Sequence, residues 1–264
     1  MNNFFYAVAL LFFLAVQPAL ASQWPSIELT KLTQDQWPQS VVISVEDPVY
    51  NANKKYKAYP LNILIKRLKI PDGLDKDKTL IVFTATDGYK VYINYNDAIS
   101  EQGYLAFQDT EAPPGKSWIA FKFGKKMITP TPYYLVWPKK NLNKWQFPWP
   151  FQVVSVSLQS YQGYFGTAVP SGNNAQAKNG FDLFSRYCIR CHAVNHAGGT
   201  LAPELNTPKN VTELYSDSYL KGLIIDAPAY IPKTKMPSFQ NILTEQHVED
   251  ILLYLKKMKS EKIK

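Results

Sequence analysis

The chemistry of this chain concentrates in Cys188-Ile189-Arg190-Cys191-His192. Two thiols separated by two residues on a helical turn match the separation of a haem's two vinyl groups. A histidine directly after the second thiol is then held against the iron, and C-x-x-C-H reads as a c-type haem attachment. A thioredoxin-like redox pair also uses C-x-x-C. That pair expects a βαβ setting, and nothing upstream looks like one. Cys188 and Cys191 are the only cysteines in 264 residues, so the chain is not a disulfide scaffold and both thiols belong to one local feature.

A haem iron needs a sixth ligand or keeps an open position. The other histidines are His196 and His247, and the methionines stand at 1, 127, 236 and 258. His196 is too close to His192 in sequence to cross to the other side of the ring. His247 falls in the first turn of a helix, where it reads as a solvated surface residue. Met127 lies in a different domain and Met258 on the terminal helix. Met236, in the Pro-bounded loop KTKMPSF, is far enough downstream to reach the opposite haem face. Its alternative role is that of a core gap-filler.

An export signal places these residues where haem attachment of this kind occurs. Residues 1–21 read as a secretory signal: an apolar run from Phe4 to Val16, Pro18 as a helix breaker, and Ala19-Leu20-Ala21 as a cleavage site. The run is short for a membrane span, and an uncleaved N-terminal membrane anchor is the alternative. The periplasm is the expected location. Net charge is +8 with a pI near 9.2, and the basic excess is spread over the chain. No dense Lys/Arg tract points to nucleic acid. An acidic protein partner or an anionic membrane surface fits this balance better.

Two domains are expected. Residues 22–160 are rich in aromatic and β-branched residues. Pro60 can start a helix with Leu61, Leu64, Ile65 and Leu68 on one face. Strands are expected for TLIVFTA from Thr79, YKVYI from Tyr89, YYLVW from Tyr133 and FQVVSVSL from Phe151. In the last, Val154, Val156 and Leu158 alternate with Ser155 and Ser157. Asp87-Gly88 is a hairpin-turn signal. The fold class is therefore α+β with a mostly antiparallel sheet. Residues 161–178, loaded with Gly, Ser, Asn and Pro, read as a linker, and 179–264 turn helical. The segment from Tyr133 to Phe151 concentrates Trp137, Trp145 and Trp149 among prolines. Such aromatics either mark a docking surface or cover the sheet as core.

From Gly180 to Met258 the chain resembles class I cytochrome c, with its pieces in the family's order. NGFDLFSRYCIRCH, with Gly180 and Phe184, is similar to the opening helix. GGTLAPEL carries Pro203, MPSF carries Met236, and LTEQHVEDILLYLKKM is similar to the closing helix. In that helix Thr244 is a plausible N-cap, Glu245, Glu249 and Asp250 favour its start, and Val248, Ile251, Leu252 and Leu255 form an apolar stripe. The resemblance implies an all-α domain with one covalent haem c on Cys188 and Cys191 and iron ligation by His192 and Met236. It implies that the Pro203 carbonyl accepts the Nδ1–H of His192, and that Tyr254 meets Phe184 where the closing helix crosses the opening one. His/Met ligation raises the reduction potential relative to two nitrogen ligands and leaves no vacant site.

The stretch TLIVFTATDGYKVYINYNDAISEQGYLAFQ, with YYLVWP after it, resembles the molybdopterin-binding domain of the sulfite-oxidase family, over about Val41 to Leu158. That family holds molybdenum through a cysteine thiolate. Both cysteines here belong to the haem motif, so no molybdenum is expected. The function expected is that of an exported monohaem electron carrier whose N-terminal domain docks it to a periplasmic or membrane-bound redox protein. A haem-containing subunit of an oxidoreductase acting on a small substrate, and a haem-based sensor, are the alternatives.

Overall fold

A computed structural model describes residues 24–71 and 74–263 of the chain. The stretch 1–21 expected as a signal lies outside these residues. No helix among the described residues is long and apolar enough to cross a membrane.

The N-terminal half holds strands β1 (Ser26–Glu28), β2 (Val41–Asp47), β3 (Ala52–Pro60), β4 (Thr79–Ala85), β5 (Lys90–Asn94), β6 (Tyr104–Asp109), β7 (Phe121–Phe123), β8 (Lys126–Ile128), β9 (Tyr134–Val136) and β10 (Val153–Ser160). Helices α1 (Leu61–Arg67) and α2 (Tyr95–Ser100) interrupt them. One antiparallel sheet runs β1-β10-β4-β5 and a second runs β2-β3-β6-β9, while β7 and β8 form a separate hairpin. The mostly antiparallel α+β architecture is as expected.

Strand β4 explains the layering. Its sequence TLIVFTA is a continuous apolar run, as a strand covered on both faces requires. Ile81 and Phe83 face a core shared with Leu64 and Ile65 of α1. Leu80 and Val82 face the opposite way, into a core shared with the C-terminal half. Across the turn that follows, Gly88 takes φ +83° and Ala85 N–H bonds the Tyr89 carbonyl at 2.8 Å, closing the β4–β5 hairpin.

One local expectation is corrected, and of the two roles open to the tryptophans the packed one is found. In β10 the residue turned into the core is Val153 rather than Val154, because a bulge between Val153 and Ser155 shifts the register against β4. Trp137, Trp145 and Trp149 do not form an exposed surface. Trp137 is 1% exposed, with Nε1 donating to the Pro148 carbonyl at 2.9 Å, and the other two are half-buried.

The stretch 161–178, read as a linker, is folded. It contains helix α3 (Tyr161–Phe165), a 3-10 turn (Gly166–Ala168) and the start of α4 (Ala175–Tyr187), capped by Asn174. Phe165 and Ala168 are buried with Leu80, Val82 and Tyr92. Gly and Asn here serve the caps and the turn: Gly166 ends α3 at φ +51°, and Asn174 Oδ1 accepts from Ala177 N–H at 2.9 Å.

The C-terminal half continues with a two-residue hairpin, β11 (Ala193–Val194) and β12 (Ala197–Gly198), and helices α5 (Val211–Leu214), α6 (Asp217–Ile225), α7 (Ala227–Tyr230) and α8 (Glu245–Lys259). Thr244 caps α8, and it is His247 that completes a reciprocal box with it. Val248, Ile251, Leu252 and Leu255 are buried as the expected stripe, joined by Tyr254 and Met258. Helix α8 crosses α4 at Gly180, with the Phe184 and Tyr254 ring centroids 5.2 Å apart. Asp250 is buried at this crossing and accepts from Gln176, Asn179 and Gln246. Burial raises its pKa, but those three donors outweigh it and hold the carboxyl below its ordinary value.

A Cβ at position 180 would overlap the Asp250 carbonyl and the Tyr254 Cβ. Gly180→Ala should therefore cost about 1–3 kcal/mol of stability by overpacking, exceeding the roughly 1 kcal/mol that alanine gains in helix propensity. Urea unfolding measures this, and a variant as stable as the parent would refute the close crossing.

Candidate functional site

The five motif residues sit where α4 ends. Cys188 is the C-cap of the helix, its N–H bonded to the Phe184 carbonyl at 2.8 Å. The chain then makes one more turn: Cys191 N–H and His192 N–H both donate to the Cys188 carbonyl, at 3.0 and 2.9 Å. This turn places both cysteines and the histidine on one short arc. Both thiols are free, Cys188 half-buried and Cys191 exposed. Burial, with the Cys191 thiol beside it, pushes the Cys188 thiol up to about 12.

The following loop folds back over the motif. Gly199 N–H donates to the Ile189 and His192 carbonyls at 2.7 and 3.0 Å, and Ala202 N–H to the Cys191 carbonyl at 3.0 Å. A Cβ at Gly199 would overlap the Arg190 carbonyl, and Gly198 holds φ +132° against the His192 carbonyl, so both glycines are required by the close approach. The loop thereby brings Pro203 to His192, with Nδ1 2.8 Å from the Pro203 carbonyl oxygen. A carbonyl only accepts, so Nδ1 carries the proton and the Nε2 lone pair is free to ligate. Burial lowers the pKa of His192, against the raising effect of the Pro203 bond, which favours the neutral imidazole.

What fixes Pro203 is its neighbour Glu204, a residue the sequence reading passed over. Its carboxylate accepts four backbone N–H groups: Asn195 at 2.9 Å, His196 at 3.0 Å, Asn206 at 2.8 Å and Thr207 at 3.2 Å. Behind it, Asn195, Asn206 and Asn210 form a buried ladder. Asn206 Nδ2 donates to Asn195 Oδ1 at 2.7 Å and to the Met258 carbonyl at 2.8 Å, and Asn210 Nδ2 to Asn206 Oδ1 at 2.7 Å and to the Leu255 carbonyl at 2.8 Å. These amides satisfy carbonyls at the end of α8 and tie the loop to it.

The remaining candidates separate by burial. Met258 is fully buried and Met127 is exposed on the β7–β8 hairpin. His196 occupies a left-handed turn at φ +63°, and His247 serves the α8 cap. Met236 is half-buried and borders the same apolar cluster as Cys188, with Leu205, Ile224 and Ile225. Its loop is anchored by Phe239, whose N–H donates to the Ile225 carbonyl at 2.7 Å, and by an Asp226–Ser238 bridge. Two free thiols, one neutral imidazole with its Nε2 unengaged, one thioether and half-buried aliphatics form a donor set that fits a haem. Among the described residues no group of three or more His, Cys, Asp or Glu is arranged to hold a bare metal ion.

Glu204→Ala should leave four backbone donors without an acceptor, at a cost of about 1–3 kcal/mol. Hydrogen exchange at Asn195, His196, Asn206 and Thr207 should accelerate together. Unchanged protection at these amides would show that the carboxylate does not hold the loop.

Comparison with known proteins places this geometry. The cytochrome c family model matches residues 177–259. The chain is 30% identical over 110 residues to a cytochrome c of Theileria annulata, an alignment covering 35% of this chain and 92% of that protein. It is 28% identical over 110 residues to a cytochrome c of Theileria parva, with the same coverage.

Proposed function

Because the chain belongs to the cytochrome c family through its C-terminal domain, and is a haem-containing electron carrier, we propose that it is an exported cytochrome with one covalent haem. Residues 1–21 direct it to the periplasm. Cys188 and Cys191 hold the haem through thioether links, and His192 and Met236 are the axial ligands. The observation that carries this assignment is the 2.8 Å contact between His192 Nδ1 and the Pro203 carbonyl, beside two free thiols on one turn. The bound haem supplies a one-electron couple. The protein supplies the oriented imidazole, the thioether on a loop anchored at Phe239, and an apolar surround that favours the less charged, reduced iron.

In this proposal the N-terminal domain docks the carrier to a periplasmic or membrane-bound redox protein. Support comes from exposed lysines: Lys55 and Lys57 on the outer face of β3, and Lys122, Lys125 and Lys126 on the β7–β8 hairpin beside exposed Phe123 and Met127. These fit an acidic protein face or an anionic membrane surface. The domain itself is a sulfite-oxidase-like scaffold without molybdenum, since the haem takes both thiols. A second reading, as the haem subunit of an oxidoreductase, is favoured by a cleft of ≈ 670 Å³ between the β4–β5 sheet and α4, lined by Asn94, Tyr161, Asp182 and Arg186 among others. Reduction of the haem by a small substrate, with the isolated protein, would establish that reading.

Purified protein should contain iron at one equivalent and no molybdenum, and one equivalent of molybdenum would overturn the scaffold assignment. The oxidised protein should show a sulfur-to-iron charge-transfer band that Met236→Ala abolishes. Survival of the band in that variant would disprove the axial role of Met236.

A further inference from the structure

The N-terminal domain reaches both segments that carry the proposed axial ligands, and Trp145 touches the two at once. Trp145 lies in the stretch between β9 and β10. Its ring centroid is 5.7 Å from that of Phe239, three residues after Met236, and 6.3 Å from that of Tyr187, the residue before Cys188. Tyr187 and Phe239 are themselves 6.1 Å apart, so the three rings form a closed triangle. One ring belongs to the haem-attachment helix, one to the methionine loop and one to the other domain.

The backbone of Trp145 is held to the motif as well. Arg190, between the two cysteines, donates from Nη2 to the Trp145 carbonyl at 2.9 Å. The same guanidinium lies over the Tyr92 ring, 5.5 Å from its centroid, and the Tyr92 hydroxyl donates to the Ser185 carbonyl of α4. On its own side, Trp145 N–H donates to Asn143 Oδ1 at 2.9 Å. Arg190 Nε and Trp145 Nε1 are both buried without a hydrogen-bond partner among the described residues. Arg190 therefore does not serve as a surface charge. It is directed into the N-terminal domain.

We propose that Trp145 is a positioning residue that holds the Met236 loop closed over the haem, so that the N-terminal domain sets the strength of the methionine–iron bond. The segment 231–242 contains no helix or strand, and its tether on the Trp145 side is the Phe239 ring. Removing the indole deletes one wall of the pocket that receives Phe239, and raises the population in which the loop has lifted away. An added ligand competing for the sixth position binds only that open population, so its apparent affinity rises in proportion to the open fraction.

This inference rests on the axial assignment made above, and the experiment separates the two. Holoprotein is titrated with imidazole while the sulfur-to-iron band is followed. Trp145→Ala should bind imidazole at least about tenfold more tightly than the parent, and should take up carbon monoxide faster when reduced. Trp145→Phe, which keeps a ring against Phe239, should stay within about twofold of the parent. If the alanine variant does not fold, Trp145→Leu retains apolar volume without the ring and should show the same tightening. A lowered unfolding midpoint with unchanged imidazole affinity in Trp145→Ala or Trp145→Leu would reduce Trp145 to a packing residue and overturn the proposal. Absence of the band from the parent protein would instead remove the axial assignment, and this inference with it.

Discussion

The structure depends on burying both faces of one β-sheet. Leu80, Ile81, Val82 and Phe83 are fully buried in succession along β4, each contributing roughly 1.5–3 kcal/mol when removed from water. An antiparallel sheet with one apolar face can leave the other to solvent, but this one cannot. Its second face needs Phe165, Ala168, Phe181 and Phe184, and those residues stand on the segment leading into the haem motif. Covering the sheet and orienting the motif are thus accomplished by one continuous stretch, from α3 to the end of α4. The aromatic triangle at Trp145 and the Arg190 contact lie beside that shared core.

The haem-binding loop obeys a second constraint. Between His192 and Val211 it has only a two-residue hairpin, so most of its backbone polar groups lack a regular ladder. Buried groups of this kind must find other partners. Glu204 gathers four of the N–H groups, while Asn195, Asn206 and Asn210 meet carbonyls of α8 and of the C-terminal segment. An irregular loop becomes a rigid presenter of the Pro203 carbonyl because side chains substitute for the missing sheet. The donor set of the site is in this way tied to the far end of the closing helix, through hydrogen bonds rather than apolar packing.

Much of this was legible in the sequence. The motif, Pro203 beside His192, and the Phe184–Tyr254 crossing could be placed because each follows from local spacing or from family order. TLIVFTA gave the bounds of β4, and Asp87-Gly88 its turn. Strand β3 escaped notice because a lysine, Lys54, occupies an inward position and breaks the apolar alternation of ANKKYKAYP. Its inward Lys54 is neutralised by Asp109 at 2.7 Å, a residue far along the chain. The register shift in β10 depends on the partner strand and has no local signature. Glu204 carries no signal in the sequence, since its four partners are backbone groups brought together only by the folded loop. Arg190 had no role of its own apart from the motif, and Trp145 stood among aromatics that either dock or cover the sheet. Their meeting depends on how two domains pack, which spacing along the chain does not encode.

The folded connection between Ser160 and Ala175 has a consequence for how such a protein can be inherited. Phe165 and Ala168 are core residues of both halves at once. A gene broken between the two would yield an N-terminal product presenting Leu80, Val82 and Tyr92 to water as a strip of apolar sheet, a template for aggregation. A haem module transplanted by recombination at this boundary would arrive without the surface that Phe181 needs. The two halves thus share one core, and a substitution in it on one side alters the packing of the other.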